Sequence, residues 1–364
     1  MSTPRIIAYY LPQFHTIPEN DEWWGKGFTE WRSVRNAKPL FHGHYQPRVP
    51  TDLGYYNLLD STVREEQATL ARKAGVEGFA YWHYWFGAGK QLLERPFNEV
   101  LNSRKPDFPF CLAWANESWK AKVWSDASGK QHKTLIEQKY LGDEDYKQHF
   151  LAFVDAFKDS RYIRYENKPV FVIYRPFDSE EIPKFITLWN QLVKEAGVAD
   201  RFYFVANITS MDDKDRALSL GFDAVTINPT SRCAVTKNPI LEKIRKKLLI
   251  YLRQKPVVIK YSEAIKKFWI PDFDMQNDVV PFLIPQWDHS PRSGLHSFVF
   301  HKATPELFEK HAMQVLEGVA KKKNNLVFLK SWNEWGEGNY MEPDLKYAHG
   351  YIEALRKALN TIKV

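Results

Sequence analysis

The sequence predicts an α/β fold, a single (β/α)8 TIM barrel. Short apolar runs with the composition of buried strands alternate with longer amphipathic segments along the 364 residues. Eight runs of this kind are present, the number that closes a ring of parallel strands joined by right-handed crossovers. Polar or aromatic residues follow each run at once, as expected where strand ends build a site.

The predicted strands are short apolar runs rich in β-branched and aromatic side chains, bounded by polar residues or turns. They span residues 6–10, 78–82, 110–114, 170–174, 202–206, 224–227, 280–284 and 326–330. An open, doubly wound sheet would show the same alternation with helices, so the strand pattern leaves that alternative open.

The predicted helices lie between these strands and after the last one. They span residues 61–74, 92–103, 143–159, 180–196, 212–219, 239–253, 305–321 and 347–359. Thr304 before Pro305 and Asp60 before Ser61 have the composition of helix starts. No internal linker is evident, so residues 1–364 are expected to form one catalytic domain with extended loops after its strands.

The carboxyl ends of the predicted strands supply candidate substrate-binding residues. Aromatic rings stack on the C–H faces of sugars, and amide or guanidinium groups pair with neighbouring hydroxyls, so such a ring of side chains is typical of a carbohydrate site. The candidates are Tyr9, Tyr10, Gln13, His15, Trp82, His83, Tyr84, Trp85, Asn116, Glu117, Trp119, Tyr174, Arg175, Asn207, Trp287, Asp288, Trp332, Asn333 and Trp335. Packing in the core is the ordinary alternative for many of these aromatics.

Glu334 and Glu337 follow the last predicted strand and are the candidate catalytic residues. Two carboxylates held close together, one beside indole rings that exclude water, have their pKa values pushed apart, which yields a base and an acid. Enzymes that cleave glycosidic bonds use such a pair of carboxyl groups. A polar loop with two solvated glutamates is the alternative.

The formal net charge of +7 is modest for this length, and two basic runs stand out at residues 243–247 and 321–323. A solvated helix face accounts for such runs, and an acidic glycan or a membrane surface is the sharper alternative. No nucleic-acid-binding motif accompanies the charge, so no nucleic acid is expected as a partner. The expected partner is an oligosaccharide or polysaccharide.

Cysteine use and the N-terminal sequence predict a cytoplasmic location. Cys111 and Cys233 are far apart in the chain and have the character of reduced, buried residues. The apolar run near the N-terminus is too short for a signal peptide, and no run is long enough to span a bilayer. Peripheral association with a membrane stays open.

The histidines and an acidic triplet are the residues that could hold a metal ion. His42 and His44 bracket Gly43, and no pair has the spacing of a helical zinc site. Residues 143–145 match the D-x-D pattern that holds a metal and a nucleotide sugar, but three acids also complement the dipole at a helix start. No phosphate-binding glycine loop is present. We therefore expect no metal and no cofactor.

Long, tryptophan-rich segments make the chain resemble WbsX-type proteins, a bacterial polysaccharide-cluster family often labelled glycosyltransferase and related to glycoside hydrolase family 99. The matching segments include AYYLPQFH at 8–15, NDEWWGKGFTEW at 20–31, GHYQPRVPTDLGYY at 43–56, GFAYWHYWF at 78–86, LLERP at 92–96, FPFCLAWANESW at 108–119, WDHSPRSG at 287–294 and SWNEWGEGNYMEPD at 331–344. The resemblance covers nearly the full length and also implies a barrel.

The resemblance implies roles for the two glutamates. In family 99 relatives the first glutamate of an N-E-W-x-E-G motif acts as a base on the sugar's own 2-hydroxyl, forming a 1,2-anhydro intermediate, and the second is the general acid. Carried over, Glu334 is the base and Glu337 the acid. Gly336 stands where the endomannosidases are expected to carry histidine, which removes a side chain near the cleaved bond. The resemblance also implies a set of subsite residues, namely Tyr9, Tyr10, His83, Asn116, Glu117, Tyr174, Asn333 and Trp335.

Several functions fit these residues. The first is a retaining glycoside hydrolase, endo-acting on a bacterial surface or capsular glycan. A conventional version of it uses Glu117 as the acid and Glu334 as the nucleophile. A glycosyltransferase in O-antigen or capsule biosynthesis is the second, and a glycan-binding protein on a catalytically inactive barrel is the third.

Overall fold

The computed structural model describes residues 2–120, 134–233, 241, 244, 247, 248, 250–252 and 254–362. Within them, eight parallel strands form a nearly closed barrel. In chain order they are β1 (Arg5–Tyr10), β2 (Gly78–Trp85), β3 (Phe110–Trp114), β4 (Lys168–Ile173), β5 (Tyr203–Ile208), β6 (Ala224–Ile227), β7 (Phe282–Leu283) and β8 (Leu326–Leu329). The order in space is β6-β5-β4-β3-β2-β1-β8-β7, so every strand from β1 to β6 lies beside its successor in the chain.

The ring closes between β6 and β7 through a short run of bonds. Val225 forms a parallel bridge with Val279, its N–H donates to the carbonyl of Asp278 at 2.8 Å, and its carbonyl accepts from the N–H of Val280 at 2.8 Å. The hydroxyl of Thr226 also donates to the carbonyl of Val280 at 2.7 Å. The barrel is therefore closed by a few bonds rather than by a continuous ladder.

Helices cover the outside of the barrel and some of its loops. They are α1 (Pro18–Trp24), α2 (Glu30–Asn36), α3 (Ser61–Ala74), α4 (Arg95–Ser103), α5 (Asp143–Lys158), α6 (Ile182–Glu195), α7 (Lys214–Ser219), α8 (Tyr261–Ala264), α9 (Pro271–Asp274), α10 (Ser290–Ser293), α11 (Pro305–Val319) and α12 (Gly350–Thr361). Two predicted starts are present: Asp60 accepts from the N–H of Thr62, and Thr304 accepts from that of Leu307. Each of these side chains accepts a hydrogen bond from a backbone N–H of the first turn, which has no partner within the helix.

Aromatic side chains fill the barrel core beneath the strand ends. The ring of Tyr9 lies 5.1 Å from that of Phe328 and 5.6 Å from that of Phe282. Outside the sheet, Trp189 is fully buried and packs 4.7 Å from Phe171. Packing therefore uses much of the aromatic content, and the same rings that fill the core also form the floor of the space above it.

The predicted α/β barrel is confirmed, with differences in detail. All eight predicted strands are present, but β2 runs to Trp85 because its end pairs antiparallel with Gln91–Leu92. For the same reason the helix predicted from residue 92 begins at Arg95. Helices α1, α2, α8, α9 and α10 were not predicted. The helix predicted at 239–253 lies largely outside the described residues, although residues 241, 244, 247, 248 and 250–252 are helical.

The lysine run at residues 321–323 is not a uniformly solvated face. Lys322 is 5% exposed, and its ammonium donates to the carbonyls of Asp274 and Val279 at 2.8 and 2.6 Å. Burial lowers its pKa to about 8. Lys322 therefore ties the end of α11 to the segment before β7.

Among the residues that the structure describes, no helix has both the length and the apolar character needed to cross a bilayer.

Candidate active site

The carboxyl ends of the barrel strands surround a large open cavity of about 1640 Å³. Twelve of the candidate residues line it, contributed by the ends of β1, β2, β3, β4, β5, β7 and β8. They are Tyr9, Gln13, Trp82, Tyr84, Glu117, Trp119, Tyr174, Arg175, Asn207, Trp287, Glu334 and Glu337. This is the end of a barrel where loops of variable length can build a site on a rigid ring.

The loop after β8 holds the two glutamates in one compact turn. Residues Asn333–Glu334 pair antiparallel with Asn339–Tyr340, and the turn Trp335–Glu337 lies between them. The hydroxyl of Ser331 accepts from the N–H of Glu334 at 3.0 Å, which fixes the start of the turn. Gly338 ends it at φ +54, a conformation that L side chains rarely adopt. Both carboxylates therefore leave one short loop on the cavity side.

Lys330, the residue directly after β8, contacts both glutamates. Its ammonium donates to Oε2 of Glu334 at 2.8 Å and lies 3.6 Å from Oε2 of Glu337. The same ammonium lies 5.3 Å from the centre of the Trp287 ring, within range of a cation–π contact. One buried cation thus holds the two acids together at the cavity wall.

Arg292 is the second cation of this cluster. Its Nη1 donates to Oε1 of Glu337 at 2.5 Å, and its Nε donates to Oε1 of Glu30 at 2.8 Å. His289 Nε2 lies 3.6 Å from the same oxygen of Glu337. Glu337 therefore sits among cations supplied by β8 and α10, and the guanidinium also connects it to α2.

Burial and charge act in opposite directions on Glu334. Burial raises its pKa, and the neighbouring Glu337 raises it further, whereas Lys330 and Arg292 lower it; the net direction is upward. Burial lowers the pKa of Lys330, but the negative charges of Glu334 and Glu337 raise it by more. The pKa of Lys330 therefore lies above its usual value, and the ammonium stays charged. The charge of Glu337 is thus one of the causes that hold the pKa of Glu334 above its usual value.

Aromatic rings form the floor and one wall of the cavity. Trp82 stacks on Tyr9 at 4.6 Å with an interplanar angle of 15°, and Tyr174 meets the edge of Trp82 at 5.4 Å. In a second cluster, Trp119 meets Tyr84 edge-on at 5.1 Å. Flat rings beside acids and amides are suited to sugar rings, whose faces are apolar and whose edges carry hydroxyls.

Glu117 lies at the end of β3 in an ion pair with Arg175. Nε and Nη2 of Arg175 donate to one oxygen of Glu117 at 3.1 and 2.9 Å, and both side chains are more than a third exposed. Asn116 does not line the cavity; its amide donates to the carbonyl of Arg175, and its oxygen accepts from the N–H of that residue. Asn116 therefore positions Arg175.

Residues next to lining positions on β1 and β2 point away from the cavity. Tyr10 donates to Gln67 on α3, and Trp85 donates to Asp145 on α5. His83 lies 2.9 Å from His149 between their Nε2 atoms, and burial lowers the pKa of His83 to about 3. Side chains alternate along a strand, so Tyr9, Trp82 and Tyr84 face the cavity while their neighbours face the helices.

Five other candidates also lie behind the cavity wall. Burial lowers the pKa of His15 to about 4, and its Nδ1 contacts the carbonyl of Pro12. Asn333 exchanges two hydrogen bonds with the backbone of Leu11. Trp332 is fully buried, and Trp335 stacks on Tyr340 at 3.7 Å.

Asp288 is the last of these five candidates, none of which lines the cavity, and it lies in a buried hydrogen-bond network outside the cavity. It accepts from Gln46 at 2.7 Å and contacts Nε2 of His44 at 2.7 Å. Burial opposes its charge, but His44 and Arg48 hold the pKa of Asp288 at about 2. The network joins the loop after β7 to the segment before α3, so it supports the site without reaching into the cavity.

Sequence reasoning missed Lys330, Arg292 and Glu30 as site residues, although all three line the cavity. Lys330 ends the apolar run of the last predicted strand, and the other two lie inside segments that carry the family resemblance. A buried charge at the end of a barrel strand was the available signal for Lys330.

Gly336 leaves room for the Glu30 carboxylate. A Cβ at this position would lie 1.7 Å from Oε1 of Glu30 and 2.9 Å from Nε of Arg292. Gly336 has no side chain where the related endomannosidases are expected to carry histidine. The ion pair of Glu30 and Arg292 occupies that space instead. Glu30 is 4% exposed and belongs to α2, far away in the chain.

The described residues contain no cluster of His, Cys, Asp or Glu arranged to hold a metal ion. The acidic triplet at residues 143–145 opens α5, and Asp145 accepts from the N–H of Ala88 at 2.7 Å and from Trp85 at 3.2 Å. Those bonds use Asp145 to dock the loop after β2 onto α5.

Comparison with known proteins gives one family and two curated relatives. The model of the family described as Glycosyltransferase WbsX matches residues 6–355. The uncharacterized protein WxcX of Xanthomonas campestris pv. campestris, from strains ATCC 33913 and B100, is 33% identical over 365 residues. The alignment covers 97% of this chain and 49% of the relative, so the chain spans about half the length of the curated relatives it matches.

Solved structures share the fold at low sequence identity. A glycoside hydrolase-like protein superimposes with a TM-score of 0.62 at 16% identity, covering 99% of this chain and 94% of the other. The GH99 endo-alpha-mannosidase from Bacteroides thetaiotaomicron gives TM-scores of 0.56 and 0.53 in two structures, each at 14% identity over 98% of this chain and 96% of the other. These likenesses establish the barrel.

Proposed function

Because this chain belongs to the family described as Glycosyltransferase WbsX, we propose that it is a carbohydrate-active enzyme, a retaining glycoside hydrolase acting on a bacterial surface or capsular glycan. The observation that carries the proposal is the pair Glu334 and Glu337, which face one cavity from one turn and share the ammonium of Lys330. Two acids of this kind beside aromatic rings meet the chemical needs of glycoside cleavage.

In the proposed first step, Glu334 removes the proton from the 2-hydroxyl of the sugar. The resulting oxygen attacks C1 and forms a 1,2-anhydro ring, while the bond from C1 to the leaving oxygen breaks and Glu337 gives that oxygen its proton. In the second step Glu337 takes a proton from water, the water oxygen opens the ring at C1, and Glu334 returns the proton to the 2-oxygen. Two inversions at C1 give net retention.

The cations around the pair support different roles for the two glutamates, with Glu334 as the base and Glu337 as the acid. Lys330 donates to Glu334 and favours its charged form, which a base needs. Arg292 is bound to both Glu337 and Glu30, so it keeps one carboxylate partner when Glu337 carries the proton of the acid. The second partner leaves the guanidinium in an ion pair when Glu337 has lost its charge.

The size and walls of the cavity favour a substrate of several sugar units. Its volume of about 1640 Å³ exceeds the roughly 300–1,000 Å³ of ordinary small-molecule pockets. Tyr9, Trp82 and Tyr174 form one cluster of rings in the cavity, and Trp119 and Tyr84 form a second. Two clusters of rings in one cavity suit an endo-acting enzyme that binds several sugars of a chain.

The proposal predicts that Glu334→Gln and Glu337→Gln each reduce turnover by roughly 10²- to 10⁴-fold, the usual contribution of a positioned acid or base. Turnover is measured on a panel of aryl glycosides and lipid-linked oligosaccharides, and NMR identifies the anomer released. Glycan binding should persist in both variants, because the amide keeps the shape of the carboxylate.

Three controls separate this mechanism from its alternatives. Glu66→Gln alters an exposed glutamate on α3 and should leave turnover unchanged. If Glu117→Gln abolishes turnover while Glu337→Gln does not, Glu117 is the acid and Glu334 the nucleophile. If neither Glu334→Gln nor Glu337→Gln changes any property, the barrel binds glycans without cleaving them.

The description of the family favours a second candidate, a glycosyltransferase. It requires a site for a nucleotide diphosphate, which a thermal-shift screen with UDP and GDP, with and without Mn²⁺, would detect. Stabilisation by either nucleotide, together with sugar transfer to an acceptor, assigns transfer. Release of free sugar without any nucleotide response assigns hydrolysis.

A further inference from the structure

Large apolar side chains are exposed on the helical segment that follows β6. Ile244 is 49% exposed, Leu248 51%, Tyr251 71% and Leu252 75%, and all four positions are helical. We call these four residues the outer face. Most other large apolar side chains of the described residues are buried or half-buried, so a group of four in one stretch is unusual.

The spacing of the outer face is that of one side of a helix. Relative to Ile244, the other three stand at positions i+4, i+7 and i+8, the pattern by which an amphipathic helix normally covers a core. Here the stripe is turned outward. Ile250, which an ideal helix places away from this stripe, is half-buried. The side that a helix usually buries is therefore presented to the surroundings.

Positive charge accompanies the exposed apolar stripe. Between residues 243 and 255 the sequence carries Lys243, Arg245, Lys246, Lys247, Arg253 and Lys255 and no acidic residue. Lys247 is exposed beside Leu248. A helix with a large apolar stripe and a lysine- and arginine-rich remainder has the composition of one that lies in the interface of an anionic membrane.

The outer face follows residues of the cavity wall in the chain. Asn228, Thr230 and Ser231 line the cavity at the end of β6, and Ile244 follows Ser231 after a short stretch of sequence. Docking through the outer face would therefore hold the cavity no farther from the bilayer than this stretch of chain can reach.

We propose that the outer face docks the protein on an anionic lipid bilayer, with the four apolar side chains entering the interface and the neighbouring cations meeting lipid phosphates. Charge decides against a second copy of the chain, because two such basic segments repel each other. Size agrees, since a stable dimer buries about 800 Å² on each partner, more than one stripe of four partly exposed side chains offers. A soluble acidic glycan would engage the cations but gives no reason to expose two leucines, an isoleucine and a tyrosine.

The test compares two double variants that add the same charge. Leu248→Glu/Leu252→Glu alters the outer face, and the matched control Leu151→Glu/Leu345→Glu alters leucines that are 54% and 71% exposed elsewhere. Sedimentation is measured with vesicles of phosphatidylcholine alone and of phosphatidylcholine with phosphatidylglycerol. We expect the wild type and the control to bind only the anionic vesicles, and the outer-face variant to bind them at least about tenfold more weakly.

Two further measurements complete the test. Replacing Lys243, Lys246 and Lys247 with glutamine should weaken vesicle binding and reduce its dependence on salt, because each cation near the surface contributes separately. Turnover of a soluble glycoside should be the same in all variants, which keeps docking apart from the proposed chemistry. Melting temperatures establish that each variant is folded.

Three outcomes would overturn the proposal. One is a wild type that ignores anionic vesicles, and another is an outer-face variant that binds them as well as the control does. The third is a wild type that is dimeric by light scattering without vesicle binding and becomes monomeric only in the outer-face variant. Equal binding of soluble polyglucuronate by wild type and outer-face variant, without vesicle binding, would assign the cations to a glycan instead.

Discussion

At the scale of single residues, the site depends on how one lysine is placed. Lys330 contacts Glu334 at 2.8 Å and Glu337 at 3.6 Å, and all three side chains are largely shielded from solvent. Burial alone would raise the pKa of a carboxylate and lower that of an ammonium. Together the three groups offset much of that cost. Lys330 is therefore a positioning residue for both acids in the proposed mechanism.

Replacing Lys330 with methionine should move the acidic limb of the pH dependence of kcat/KM to higher pH. Lys330 is one of the groups that lower the pKa of Glu334, so its removal raises that pKa further. A base must be ionised, and a higher pKa means that ionisation requires a higher pH. Steady-state rates from about pH 4 to pH 9 measure the shift.

Lys330→Arg is the matched control for this prediction. It keeps the positive charge, so the acidic limb should stay near its wild-type position even where the maximal rate falls. An acidic limb that does not move in Lys330→Met would show that Glu334 is not the group whose ionisation governs the rate.

At the scale of elements, the loop after β8 and helix α2 fit together through Gly336. The loop approaches α2 so closely that a Cβ at residue 336 would meet the carboxylate of Glu30. Glu30 in turn bonds to Arg292 on α10, which bonds to Glu337. A missing side chain in the loop thus lets α2 and α10 meet the turn that carries Glu334 and Glu337.

Gly336→Ala should lower the free energy of unfolding by about 1–3 kcal/mol, the usual cost of overpacking a buried position. The new methyl group must displace Glu30 and disturb its bond to Arg292. The same substitution should cost less in a Glu30→Ala background, where the space is empty. Urea unfolding of the four proteins of this double-mutant cycle measures the difference. An equal cost in both backgrounds would assign the loss to the loop backbone instead.

Strand periodicity explains which predicted site residues line the cavity at the end of β2. Trp82 and Tyr84 line it, whereas His83 and Trp85 contact α5. That division follows from the two-residue period of a strand and was available from the sequence once β2 was known to continue to Trp85. The predicted strand ends at residue 82, so the sequence alone did not indicate that residues 83–85 continue the alternation between cavity and helix sides.

At the scale of the whole molecule, a buried carboxylate links the loop after β8 to helix α3 and the segment before it. Glu342 accepts hydrogen bonds from Trp335, Tyr56 and Gln67, at 2.6, 3.0 and 2.6 Å. Its partners belong to the loop after β8, to the segment before α3 and to α3 itself. Burial raises the pKa of Glu342 to about 7, although these donors oppose the shift.

This raised pKa predicts a pH-dependent contribution to stability. The folded protein holds a proton on Glu342 up to about pH 7, whereas the unfolded chain releases it near the usual glutamate pKa of 4.5. The contribution is therefore fully present below the unfolded pKa and is lost as pH rises through the folded pKa. Glu342→Gln should remove that dependence, so the stability difference between wild type and variant should shift toward the variant as pH rises.

Urea unfolding of both proteins at about pH 5 and about pH 8 measures this difference. Subtracting the variant isolates Glu342 from buried histidines, which act in the opposite direction. Burial lowers the pKa of His83 to about 3, so its contribution is present above the unfolded value and is lost as pH falls. Parallel pH profiles of wild type and variant would contradict the prediction.

The sequence alone determined where the eight strands lie, that polar or aromatic residues follow each of them, and which loop carries the acid pair. Each of these depends on local pattern: an apolar run, its length and the residues that follow it. Only the tertiary structure decided that Glu30, Arg292 and Lys330 surround those acids, because Glu30 and Arg292 lie 262 residues apart in the chain. Periodicity specifies which residues form a strand, but the contact between two distant charges depends on how loops fold over the finished barrel.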